Sequence, residues 1–147
     1  MTLYLGDSFH DGVTVAENLG LDFELAAFFG DMPLRIAGAH LVIARAGAST
    51  VAELAVIGRP AILVPLPGAI DNDQLFNAKA FESGGAGWVF PQNELTHEAF
   101  AVQLEGLLRN RPRLLQAANS AKLQGKANAA ESLADVVEGA ILGKQTA

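Results

Sequence analysis

Residues 44–55, ARAGASTVAELA, put small residues, a hydroxyl pair and one carboxylate where an apolar run gives way to an amphipathic stretch. Ala46, Gly47 and Ala48 carry almost no side chain, so a ligand can approach the backbone closely there. At the start of a helix the first N–H groups lack intrahelical partners and the dipole presents its positive end, which favours a phosphate. Ser49 and Thr50 add hydroxyl donors, and Glu53 follows at i+4 and i+3 from them, on the same side of a helix. A carboxylate one turn from a phosphate site can accept two hydrogen bonds from the hydroxyls of a ribose. The run Thr50-Val51-Ala52-Glu53 also matches a capping box, which accounts for both residues without any ligand. On this stretch alone the capping box is the simpler reading.

A second stretch, residues 64–81, reads VPLPGAIDNDQLFNAKAF. Pro65, Pro67 and Gly68 fix a loop, after which Asp71, Asn72, Asp73 and Gln74 crowd a helix start. Acidic residues there are ordinary partners of the helix dipole. Gln74 and Asn77 lie three apart on one face, and their amides both donate and accept, as sugar hydroxyls require. Taken alone, this too reads as a solvated helix start.

The elements that must position these residues alternate. Apolar runs at 3–6, 41–45, 60–66 and 87–91 read as strands and 23–29 as a strand or extended segment, with 41–45 and 60–66 of the buried type. Helical patterns occupy 11–20, 31–39, 49–58, 71–85, 96–109, 112–124 and 128–142. Asp31 and Pro33 suit the first turn of their helix, and Gly20, Gly58 and the Gly84-Gly85 pair read as stops. Continuous apolar strands alternating with helices predict an α/β fold with a Rossmann-like parallel sheet covered by helices on both faces. Ligands of such sheets sit at the carboxyl ends of the strands, where both singled-out stretches fall.

Composition narrows the function classes. Half of the 147 residues are hydrophobic, which fits one folded domain. No apolar run is long enough to span a bilayer, and the N-terminus lacks a basic start followed by an apolar segment. The absence of cysteine removes disulfides, thiolate metal sites and cysteine nucleophiles. A net charge of −6 argues against a broad nucleic-acid surface. The cluster Arg109, Arg111, Arg113 reads as a solvated helix junction. No metal cluster is expected, because Asp71 and Asp73 lack a third convergent carboxylate, and no cofactor is assigned.

Together the two stretches are far more specific than either alone. ARAGASTVAELAVIGRPAILVPLPGAIDNDQLFNAKAFESGGAGWVFPQ, residues 44–92, closely resembles the C-terminal, donor-binding half of the MurG family, glycosyltransferases of family 28 with the two-domain GT-B architecture. The resemblance runs from Phe28 to Gln92, weakens through the helical tail and is slight before residue 22. It implies transfer of N-acetylglucosamine from UDP-N-acetylglucosamine to lipid I, an undecaprenyl-diphospho-muramoyl-pentapeptide, with inversion, giving lipid II in peptidoglycan biosynthesis. It implies that Glu53 holds the donor ribose, and that Ala48, Ser49 and Thr50 face the sugar and the diphosphate. It likewise implies that Gln74 reads the N-acetylglucosamine hydroxyls with Asn77 as a supporting amide, and that Phe28, Phe29 and Met32 surround the uracil and the diphosphate. Arg45 matches a family arginine without an assigned role. On this reading Thr50 caps its helix while Glu53 binds ribose.

The resemblance also sets expectations about completeness. The chain is read as one partial domain over 1–147, with 1–21 poorly matched, a sheet core carrying the donor loops over 22–92 and a helical tail over 93–147. It is expected to be an N-terminally truncated or split form, without the acceptor domain and without the first strand and glycine-rich turn of the donor domain. Gly6, Asp7 and Ser8 would make only a degenerate turn in that place. None of the three histidines, His10, His40 and His97, lies on the two loops, so no catalytic residue is assigned and the base is expected from the acceptor domain. The expected setting is cytoplasmic and peripheral on the inner face of the plasma membrane, with room for a partner chain or a homo-oligomer. The alternatives are a non-catalytic nucleotide-sugar-binding or regulatory module and, less well matched at the loops, a UDP-sugar epimerase of the same architecture.

Overall fold

The computed structural model describes residues 2–5, 22–68, 72–94 and 96–126. The expected helices at 11–20 and 128–142, the turn Gly6-Asp7-Ser8, His10 and Asp71 lie outside the described residues. The chain separates into two compact units, Met1–Met32 and Pro33–Ala147. In the first, strand β1 (Thr2–Leu5) pairs in parallel with β2 (Asp22–Leu25), Thr2 opposite Asp22 and Leu5 opposite Leu25. The second strand is thus shorter than the apolar run at 23–29 suggested.

Helix α1 covers Met32–Gly38, with Pro33 in its first turn. The second unit is built on β3 (Val42–Ala44), β4 (Ala61–Leu63) and β5 (Gly87–Val89), in the order β3-β4-β5 with both pairs parallel. Between them run α2 (Ala48–Ile57) and α3 (Asp73–Ser83), and after β5 come α4 (His97–Leu108) and α5 (Arg111–Gln124). Side-chain caps start the last two helices: Thr96 Oγ1 accepts from the Ala99 N–H at 3.2 Å, and Asn110 Oδ1 from the Arg113 N–H at 3.1 Å.

The alternation of β4 explains the two layers of helices. Ala61 and Leu63 enter a cluster with Ile36, Leu54, Ala55, Ala78, Phe81 and Ala121, which brings α1, α2, α3 and α5 to one face. Ile62, between them, packs on the other face with Leu107 and Leu114, joined by Trp88, Phe90, Phe100 and Leu104. All three residues of β4 are fully buried, as a central strand covered on both sides must be. The Phe90 and Phe100 rings meet edge to face, 6.1 Å between centroids, and hold α4 against the end of β5. At the start of β5 a side chain on Gly87 would strike the Ala61 carbonyl and stand 3.0 Å from the Phe81 ring, so the strand can approach β4 and α3 only as glycine. The arginine cluster is taken up locally: Arg109 pairs with the exposed Glu105 at 2.6 Å, and the Arg113 guanidinium lies 5.2 Å from the Trp88 ring centre.

Helix α2 ends where its glycine predicts. Gly58 is left-handed at φ 78°, its N–H bonds the Ala55 carbonyl at 3.1 Å, and the Arg59 N–H reaches back to the Leu54 carbonyl at 2.9 Å. That is a Schellman stop, and Arg59 then donates to the Ala37 carbonyl at the end of α1. Gly58→Ala is expected to destabilise the chain by about 1–2 kcal/mol, the cost of a left-handed L-residue, measurable as a lower urea midpoint with an unchanged slope.

Candidate functional site

Parallel neighbours bring their carboxyl ends to one edge, so the loop 45–47 after β3 and the loop opened by Val64 after β4 lie side by side. Three side chains join them. Arg45 Nη1 donates to the Val64 carbonyl at 3.2 Å and to the Pro65 carbonyl at 3.4 Å. Asn77 Nδ2, on the second turn of α3, donates to the Ala46 carbonyl at 3.1 Å. Gln74 Oε1 accepts from the Leu66 N–H at 3.0 Å.

Helix α2 begins in an uncapped state. Its N-cap is Gly47, extended at φ −62° and ψ 147°, with no side-chain cap, and the first intrahelical bond is Val51 N–H to the Gly47 carbonyl at 3.0 Å. This corrects the capping-box reading. Thr50 sits inside the helix, three residues past the N-cap, so it does not cap, and no box forms with Glu53. The reason lies in loop 45–47, whose extended glycine takes the cap position before a hydroxyl residue can. The N–H groups of Ala48, Ser49 and Thr50 therefore stay open to an anion. Ala48, Ser49 and Glu53 are exposed and Thr50 is half-buried.

Glu53 borders an open depression of about 320 Å³ lined with Pro33, Ala52, Val56 and Ile57. Its lining is apolar, so Glu53 borders it with the stem of its side chain rather than with its carboxylate. Gln74, Asn77 and the start of α2 are thus held together at one sheet edge. Phe28, Phe29 and Met32 belong to the other unit, where Phe28 is 84% exposed, Met32 39%, and Phe29 buried. His40 and His97 are exposed, and His97 opens α4. Among the described residues no three His, Cys, Asp or Glu side chains could hold a metal ion together. Sequence reasoning left Arg45 without a function; its signal was a guanidinium directly after an apolar strand.

Residues 5–133 match the model of the glycosyltransferase family 28 C-terminal domain. The chain belongs to this family. Of the relatives, the UDP-N-acetylglucosamine--N-acetylmuramyl-(pentapeptide) pyrophosphoryl-undecaprenol N-acetylglucosamine transferase of Methylobacterium nodulans is 57% identical over 115 residues, covering 78% of this chain and 31% of that protein. The transferase of the same name from Paramagnetospirillum magneticum is 49% identical over 125 residues, covering 85% of this chain and 34% of that one. The crystal structure of Acinetobacter baumannii MurG superposes with a TM-score of 0.82 at 31% identity, covering 94% of this chain and 41% of that structure. The family-28 chain described here spans about a third of the length of these two transferases, and the fold expected from its strand and helix pattern is the one these comparisons give.

Proposed function

We propose that the chain supplies the UDP-N-acetylglucosamine-binding half of an inverting N-acetylglucosaminyltransferase that converts lipid I to lipid II. The observation that carries this reading is the uncapped start of α2 with an exposed carboxylate, Glu53, one turn along it. The diphosphate would take the N–H groups at 48–50, and Glu53 would accept the ribose hydroxyls. For Phe28, Phe29 and Met32 the proposal keeps the role that the family resemblance implies, surrounding the uracil and the diphosphate. Gln74, whose oxygen is engaged by Leu66, keeps its amide NH₂ for the sugar hydroxyls.

In the reaction the acceptor hydroxyl oxygen forms a bond to the anomeric carbon from the face opposite the diphosphate. The bond from that carbon to the diphosphate oxygen breaks, UDP leaves with the electron pair, and the hydroxyl proton passes to a base outside the described residues. The start of α2 acts where charge grows on the leaving diphosphate, and fixed N–H dipoles serve that purpose without reorganising. Lipid I carries an undecaprenyl chain, so the chain would act peripherally at a membrane surface, on the inner face of the plasma membrane that the family resemblance implies. No described helix is long and apolar enough to cross a membrane.

Calorimetric titration with UDP and with UDP-N-acetylglucosamine tests the reading. Gln74→Ala is expected to weaken UDP-N-acetylglucosamine by about 2- to 12-fold, the range of one neutral hydrogen bond, and to leave UDP nearly unchanged. Equal losses for the two ligands would remove Gln74 as the reader of the sugar.

A further inference from the structure

We propose that Arg45 is a positioning residue for the sugar-reading amide; this rests on the donor-site reading above. The bonds at the sheet edge form a closed circuit. Arg45 holds the carbonyls of Val64 and Pro65, Leu66 next in the chain donates to Gln74, α3 carries Gln74 to Asn77, and Asn77 holds the carbonyl of Ala46, the neighbour of Arg45. Only one link of this circuit fixes residues 64–66 from the side of β3 beyond the ladder itself. The last ladder bond is Val64 N–H to the Ala44 carbonyl at 2.9 Å. Pro65 has no N–H to give, so its carbonyl is its only backbone handle, and Arg45 takes it.

The consequence reaches the ligand through Leu66. Its N–H sets which end of the Gln74 amide faces inward, and the oxygen is the end it selects. That leaves the NH₂ as the end of the amide that can donate to hydroxyl oxygens. Without the Arg45 bridge, Pro65 and Leu66 lose their fixed height over the sheet and the Gln74 amide is free to turn. Arg45 therefore governs discrimination between UDP-N-acetylglucosamine and UDP while touching neither.

Two measurements on the 147-residue chain test this. In the ligand-free protein, Arg45→Ala should speed hydrogen exchange at the Leu66 N–H, while Arg45→Lys, whose ammonium can still donate to either carbonyl, should keep it slow. In titrations, Arg45→Ala should cut the UDP-N-acetylglucosamine to UDP affinity ratio by about 2- to 12-fold, as loss of the Gln74 bond would, with Arg45→Lys restoring the ratio. Adding Arg45→Ala to Gln74→Ala should lower the ratio no further, a non-additivity that a general loss of stability does not produce. Unchanged Leu66 exchange, an unchanged ratio, full additivity with Gln74→Ala, or an equal loss for both ligands (the mark of a direct diphosphate contact) each overturns the inference while the donor site stands. Failure of the unsubstituted chain to bind either nucleotide overturns the donor-site reading, and this one with it.

Discussion

The 147-residue chain by itself is expected to bind UDP-N-acetylglucosamine and to transfer none of it to a lipid I analogue. Glycosyl transfer needs the acceptor hydroxyl held at attacking distance from the anomeric carbon. Such positioning supplies about 7–11 kcal/mol of barrier reduction, an effective molarity on the order of 10⁵ M or more. The relatives carry roughly two further thirds of chain in which that positioning can reside, since this chain covers 31% and 34% of the two compared above. A donor site open to water also weakens the electrostatic stabilisation of the departing diphosphate, because charges interact more feebly at high dielectric. A radiolabelled-donor assay, with a full-length relative as the positive control, checks this. Product formed by the chain alone at a rate near the control would place the acceptor machinery within these residues.

Glu53→Ala is expected to weaken UDP and UDP-N-acetylglucosamine alike by about 10- to 150-fold, the range for hydrogen bonds to a charged group. The losses should match because the ribose belongs to both ligands. The melting temperature should hardly move, for Glu53 is exposed and takes no part in capping α2, whose N-cap is Gly47. Stability and binding are therefore separable at this position, as a capping box would not have allowed. Glu53→Gln keeps the length and one acceptor and should lose less. A loss confined to the sugar-bearing ligand would contradict the ribose assignment.

Much of the fold was legible because its decisive features are local. The apolar run at 60–64 is a strand buried on both faces, and Ala61, Ile62 and Leu63 are its fully buried residues. Gly58 stops α2 through a left-handed cap that few other residues adopt at so low a cost. The short second strand was not legible, since an apolar run such as FELAAFF does not say where ladder pairing ends. The capping box failed for a related reason. The pattern Thr50-x-x-Glu53 fixes a spacing but not where the helix begins, and the path of loop 45–47 decides that. At the site, Glu53 and Gln74 drew attention by residue type, yet local patterns favoured plain caps and only the family resemblance gave them roles. The partners of Arg45 and Leu66 were not legible because they lie 8 to 20 residues away along the chain: those of Arg45 come within reach only once β3 and β4 are paired, and that of Leu66 only once its loop lies against α3.

The central claim is that the donor sits on the carboxyl edge of β3 and β4, and amide shift mapping by NMR tests it most directly. Addition of UDP should shift the backbone amides of Ala48, Ser49, Thr50 and Glu53. UDP-N-acetylglucosamine should shift the same signals and, in addition, the side-chain amide of Gln74. The open depression of about 290 Å³ beside Gly87, Trp88 and Arg113, at the amino end of β5, serves as the internal control and should stay silent. Shifts gathered at Gly87, Trp88 and Arg113, with none at residues 48–53, would contradict the account.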